Sequence, residues 1–260
     1  MKKLGLSILL PLLALPFAAS AGGCSSDDSS VPLPQDGGNV RDTGTGTPQD
    51  SGTKLDGGSC TAAKETLLKP IDSVSEGEVA VLPSVGLSKT IYVDASAGGI
   101  ANAAKNPRVY VNLETAAKVS VTDRSAETSS AWDLALKRDI LFVNNGDGGP
   151  ANGSALFLEG KGFDDVTAAD AQGKDFPKES FFDLECKAKL DERQALKTTF
   201  SGWYVYDEAT HQITGPKPGV FLVKTAGAKL FKVQILSYKT QKPDAGAAAS
   251  AQYSLKVQAL

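Results

Sequence analysis

Residues 131–149, AWDLALKRDILFVNNGDGG, constrain the fold most, because an apolar alternation here runs straight into a dense cluster of turn residues. Trp132, Leu134 and Leu136 alternate with Asp133, Ala135 and Lys137, the period-2 pattern of a half-buried strand. Lys137-Arg138-Asp139 then forms a kink, Ile140 to Val143 make a second short apolar run, and Asn144-Asn145-Gly146-Asp147-Gly148-Gly149-Pro150 ends it. Trp132, Ala135, Leu136 and Asp139 also fit a helical stripe. The glycines, asparagines and proline, however, stop the segment before a mean-length helix is complete. The stretch therefore predicts strand, kink, strand and loop. The run NNGDGGPANG at 144–153 reads as a β-connection that needs positive φ, with a backbone cradle for an anion as the competing reading.

Similar signals recur at short spacing. Ile91 and Val93 alternate with Tyr92 and Asp94, and Val109 and Val111 with Tyr110 and Asn112. Near the C-terminus Phe231, Val233 and Ile235 alternate with Lys232 and Gln234, and Tyr253, Leu255, Val257 and Ala259 with Ser254, Lys256 and Gln258. Val220 to Lys224 pairs with Leu230 to Tyr238 through the Gly-containing turn at 225–229, a hairpin. TAAKETLL at 61–68 and KLDERQAL at 189–196 are helix candidates, and Phe181, Phe182 and Leu184 are expected in the core. The expected fold is all-β, an antiparallel sandwich with at most one or two short helices.

The N-terminal residues follow another logic. Lys2 and Lys3 precede an apolar run from Leu4 to Ala19, broken by Pro11 and Pro16, and small residues then lead into Cys24. Residues 1–23 read as a secretory signal, too short and too proline-broken to span a bilayer. Ser20-Ala21-Gly22-Gly23-Cys24 looks like a bacterial lipobox, with Ala21 where leucine is usual, so Cys24 is the expected lipidation site. An ordinary cleaved signal beside an incidental cysteine is the alternative, and a lone thiol suits an oxidising compartment poorly. Ser25 and Ser26 after the cysteine, by resemblance to Gram-negative lipoproteins, favour the outer membrane, with the domain facing the periplasm or the cell surface. Residues 24–58 hold almost nothing apolar and cannot offset their ordering entropy, which predicts a disordered tether. It would separate domain and membrane by roughly 30 Å on average. Its recurring aspartates lack the spacing and closing glutamate of an EF-hand loop. Residues 59–260 remain as one β domain, long enough for a core without staples.

Cysteine count adds a cross-link. With Cys24 acylated, Cys60 and Cys186 are the remaining thiols in an oxidising compartment, which predicts a Cys60–Cys186 disulfide; two separately buried thiols are the alternative.

Composition excludes several chemistries. The 27 Lys and Arg against 30 Asp and Glu give a formal charge of −3, with no concentrated basic stretch of the kind nucleic-acid binding requires. One histidine, His211, and one methionine, Met1, rule out a histidine-rich metal site within one chain. No GxSxG elbow, GxxxxGK[ST] loop, HExxH or CxxC occurs, so the chain is not expected to be an enzyme. Hydrolysis by paired carboxylates depends on a separation that sequence does not encode.

The order of segments resembles the HmuY family of haem-binding surface lipoproteins. The carriers are KTIYVDASAG at 89–98, PRVYVNLET at 107–115, WDLALKR at 132–138, SGWYVYD at 201–207, VFLVKTAGAKLFKVQILSY at 220–238 and a last strand at 251–260. Together they cover roughly residues 85–260, and their shared order is more specific than any one of them. The resemblance implies haem as cofactor, with the iron held by two side chains, histidines or in some members methionines, on loops between strands. One such loop follows the SGW strand, and here His211 lies close to that place. The other ligand is expected between Gly160 and Thr199, where neither histidine nor methionine occurs. Four arrangements remain: His211 as sole iron ligand, a tyrosinate from Tyr204 or Tyr206, pairing across a dimer, or no haem. Trp203, Tyr204 and Tyr206 either stack on a porphyrin or fill the core, as aromatics at alternating strand positions usually do. The implied partners are the membrane, through the lipid anchor, and haem or a haem-carrying protein. The alternative function is a surface interaction module that keeps the fold and has lost the haem site.

Overall fold

The structure, a computed structural model, describes residues 60–242 and 247–260. The 1–23 signal, Cys24 and the whole 24–58 tether thus lie outside the described residues.

Two antiparallel sheets stack across a shared core. The larger contains β1 (Val79–Leu82), β2 (Lys89–Asp94), β7 (Ser154–Glu159), β10 (Gly219–Lys224), β11 (Leu230–Ser237) and β12 (Gln252–Ala259), in the order β1-β2-β12-β11-β10-β7. The smaller contains β3 (Val109–Asn112), β4 (Ala117–Lys118), β5 (Leu134–Lys137) and β6 (Ile140–Val143), in the order β4-β3-β5-β6. A separate ribbon pairs β8 (Tyr204–Asp207) with β9 (Gln212–Pro216). Among the described residues two short α-helices, α1 (Thr61–Leu68) and α2 (Asp123–Ala126), join the sheets with two 3-10 turns at 103–105 and 168–171. The all-β expectation, the 220–238 hairpin and the helix at 61–68 all hold.

The main core lies between the sheets. Ile91, Val93, Phe221, Val233 and Leu255 of the larger sheet meet Val109, Val111, Leu134, Leu136 and Val143 of the smaller. The strands at 109–112 and 134–137 are not half-buried, as their alternation predicted. Their other face is covered too, by a second core in which Tyr110, Trp132, Ala135 and Phe142 meet Phe181, Phe182 and Leu196, with α1 packed on it. Trp132 belongs there and not with Leu134 and Leu136. A third cluster of Phe163, Val166, Val220 and Leu222 covers the outer face of β10. Beneath it the Lys232 ammonium donates to the carbonyls of Phe163 and Val166 at 2.9 and 3.1 Å, which satisfies a buried charge.

Two expectations in the middle of the chain fail. Leu184 is 91% exposed, at the tip of a turn closed by the Phe182–Ala188 bridge. Residues 189–196 form no helix: Leu190 bridges Leu196, and the Asp191 carboxylate accepts the N–H groups of Arg193 and Ala195 at 2.9 Å each. An aspartate side chain that captures nearby N–H groups offers the backbone a turn in place of a helix. The disulfide joins Cys60, at the start of α1, to Cys186 in this middle segment.

The Asn-Gly-rich loop is a structural junction. Its N–H groups are used internally: Asp147 donates to Glu179 O, Gly148 and Gly149 to Asn145 O, Gly153 to Asn144 O, and Ala151 to the Asn144 side chain. That disfavours the anion cradle. Gly146 alone among its glycines has positive φ, 50°. Gly149 is needed for a different reason, since a Cβ there would sit 2.7 Å from the Trp132 ring.

Glu179 ties the middle segment to this loop and to β6. Its buried carboxylate accepts from Val143 N–H at 3.2 Å and from the N–H and hydroxyl of Thr199 at 2.9 Å. Burial pushes its pKa up to about 7, with Asp147 nearby adding to the rise and the three donors opposing it. A carboxyl raised on folding stabilises fully below the unfolded pKa, and that contribution is lost as pH rises through the folded value. From 4.5 to about 7 the loss is roughly 3 kcal/mol. Burial also raises Asp133, with the same sign. Urea unfolding is therefore expected to show falling stability across this window, and Glu179→Gln to flatten most of the fall. A wild-type stability that climbs from pH 4.5 to 7 contradicts it.

Candidate functional site

The kink at Arg138-Asp139 is the two-residue turn of the β5–β6 hairpin, whose last pair is Lys137 with Ile140. Arg138 holds φ at 55°, uncommon without glycine. Three hydrogen bonds keep the turn in place. Arg138 N–H donates to the Ala95 carbonyl at 2.8 Å, the Tyr253 hydroxyl donates to the Arg138 carbonyl at 2.7 Å, and the Trp203 indole donates to the Asp139 carbonyl at 3.0 Å.

Facing this turn is the β8–β9 ribbon. Asp207 closes its connection by accepting the N–H groups of Ala209 and Thr210 at 2.9 and 3.4 Å. Hydrogen bonds, those from Thr210 first, hold that carboxyl below the usual range. His211 follows at φ 54°, exposed, with Nδ1 3.5 Å from the Tyr206 hydroxyl. The Arg193 guanidinium lies 4.5 Å from the ring centres of both Tyr204 and Tyr206, near enough for cation–π attraction. It also reaches Asp191 at 3.3 Å and Asp139 at 4.0 Å.

Between turn and ribbon opens a cleft of about 540 Å³, within the usual range for small-molecule sites. His211 and Tyr206 stand on its wall with Arg138, Arg193, Tyr238 and Lys239. Trp203 and Tyr204 do not. They are buried in the main core, where Trp203 packs on Tyr204, Tyr238 and Tyr253 with ring centres 4.8, 5.6 and 5.5 Å away. Trp203 acts on the cleft from behind, through its bond to Asp139. Burial pushes the Tyr238 phenol up to about 12, so it faces the cleft protonated at neutral pH.

The cleft wall carries three cations, Arg138, Arg193 and Lys239, against the one carboxylate of Asp139. Arg138 gives only long bonds to the carbonyls of Ser96 and Ser250, at 3.4 and 3.5 Å, and Lys239 one of 3.4 Å to Gln212. Among the described residues neither has a carboxylate partner. Sequence reading missed Arg138, Arg193, Tyr238 and Lys239. Only Arg138 carried a signal, as the charged break between two apolar runs. The cleft brings the chain's one histidine together with the apolar Ile100, Ala103 and Ile213 and with the cations Arg138, Arg193 and Lys239. It does not fit bis-histidine ligation within one chain.

No curated protein sequence matches the chain. Among the solved structures similar to the chain are three at low identity. A Bacteroides vulgatus protein described as HmuY-like and heme-binding is 18% identical over 70% of this chain and 97% of its own, with a TM-score of 0.44. A Bacteroides fragilis protein described as a lipoprotein is 17% identical over 69% and 93%, with a TM-score of 0.43. The apo HmuY analogue of Tannerella forsythia is 17% identical over 72% and 99%, with a TM-score of 0.39. The sequence model of the HmuY protein family matches residues 104–253, a span that holds the Arg138 turn, Arg193, His211 and Lys239. That span is more than half of the 260 residues, and the chain belongs to the HmuY family.

Proposed function

We propose that this protein is a non-catalytic, lipid-anchored surface protein that binds haem, or a closely related tetrapyrrole, in the cleft beside His211. The observation that carries the reading is the convergence of the chain's one histidine with Tyr206, Arg193 and Arg138 on a single cleft wall, inside the region matched to the family. Bound haem supplies a coordination site on iron and a flat macrocycle bearing two carboxylates. The chain's own residues do the rest: His211 offers an imidazole, Tyr206 and Ile213 offer apolar contact, and Arg138, Arg193 and Lys239 offer cations. The anchor belongs to the same proposal, with 1–23 as signal, Cys24 as acylated N-terminus, 24–58 as tether, 59–260 as binding domain and the outer membrane as destination.

Titrating the chain from Ser25 to Leu260 with haemin, beside a His211→Ala variant, tests the reading. A saturable one-to-one Soret spectrum that changes form in the variant is expected, because the iron loses its imidazole. A saturable spectrum unaltered in the variant moves the iron to Tyr206 or another group. Weak, unsaturable absorbance in both sinks haem binding and leaves a surface interaction module of the same fold.

A further inference from the structure

We propose that the cleft recognises its ligand through carboxylates and not through iron, so that an iron-free dicarboxylate porphyrin binds nearly as well as haem. This rests on the tetrapyrrole reading above and adds what selects the ligand.

The metal side of the cleft is thinly built. Its single imidazole is exposed on a hairpin turn, and its nearest ring partner, the Tyr206 hydroxyl, is 3.5 Å away, at the outer limit of a hydrogen bond. Imidazoles that hold metals firmly have the second ring nitrogen fixed by a strong acceptor, which orients the ring and raises its basicity. His211 has no such acceptor among the described residues.

The anion-binding side is heavily built. Arg138 and Lys239 reach the cleft with no carboxylate partner among the described residues, two cations for a ligand with two carboxylates. Arg138 stands on a turn already pinned by Ala95, Tyr253 and Trp203, so no loop needs ordering when it binds. Its guanidinium is planar and always charged, with a fork of donors that matches a carboxylate. Arg193 is held in place by Tyr204 and Tyr206 and by the carboxylates of Asp191 and of Asp139, which also lines the cleft, so its charge is already balanced. Ile100 on the rim is 83% exposed and Ile213 lies within, so the walls also carry apolar surface for a macrocycle. A charge-assisted hydrogen bond contributes roughly ten- to a hundredfold in affinity. Two of them would together contribute roughly a hundredfold or more.

Three probes on the wild-type chain from Ser25 to Leu260 decide the matter: haemin, iron-free protoporphyrin and haemin dimethyl ester, each followed by quenching of tryptophan fluorescence and by the Soret band. Protoporphyrin is expected to saturate one-to-one with a Kd within about tenfold of haemin, and the ester to bind about a hundredfold or more weaker. Arg138→Gln and Lys239→Gln should weaken haemin and protoporphyrin alike, while His211→Ala weakens haemin alone. Haemin binding with protoporphyrin about a hundredfold weaker, or an ester as tight as haemin, overturns the inference and leaves the haem reading standing. Failure of all three probes to bind overturns both.

Discussion

Replacing Trp203 by alanine is expected to cost roughly 3–5 kcal/mol of stability, the range for emptying a large buried aromatic site. Trp203 is 2% exposed and packs on three tyrosines, so truncation leaves a cavity between the sheets and the ribbon. It also strips the Asp139 carbonyl of its donor, at the turn that carries Arg138. Trp203→Phe separates the two effects: it keeps most of the packing, loses the indole N–H, and should cost about 1 kcal/mol for the lost bond plus a smaller packing term. If the turn positions the cleft, Trp203→Phe also weakens haemin binding although Trp203 is not on the cleft wall. Urea unfolding and haemin titration of both variants test this. A Trp203→Ala variant as stable as wild type removes Trp203 as a keystone.

Loss of the Cys60–Cys186 bridge should have an effect of similar size. The bridged cysteines are 126 residues apart, and in the chain-entropy model a loop of that order confers about 4–5 kcal/mol through the unfolded state. For a domain of this size that corresponds to a midpoint roughly 10–15 °C lower. There is also a local consequence. Helix α1 buries none of its residues fully and only partly buries Ala63, Leu67 and Leu68 against the second core, so the bridge is its firmest attachment. The Cys60→Ser/Cys186→Ser double variant is expected to melt early and to lose protection from hydrogen exchange over residues 61–68 first. Unchanged melting in the double variant, or in wild type after reduction, refutes the assignment.

The single variants differ in an instructive way from these two. His211→Ala removes an exposed side chain, so its effect belongs to ligand spectra and not to stability. Glu179→Gln changes the pH dependence of stability without touching the cleft, whose walls do not include Glu179. Trp203 alone is expected to move both readouts, because it spans the main core and the back of the Arg138 turn.

Sequence by itself determined what depends on local pattern. Alternation at 91–94, 109–112, 231–235 and 253–259 specified strands, since successive side chains on a strand point to opposite faces. The turn at 225–229 specified its hairpin, and the cysteine count specified the disulfide. Tertiary structure alone decided what depends on partners far along the chain. The strand at 134–137 is buried on both faces because the middle segment returns to cover its outer side, and no alternation within the strand encodes that cover. Residues 189–196 became a turn because the Asp191 side chain took N–H groups that a helix needs. The cleft likewise unites His211 with Arg138, more than seventy positions earlier, by way of Trp203 and Tyr253 bonding to two carbonyls of a tight turn. Local propensity says that such a turn forms. Which side chains it meets is settled by sheet order and by the burial of distant aromatics, properties that exist only once the chain has packed.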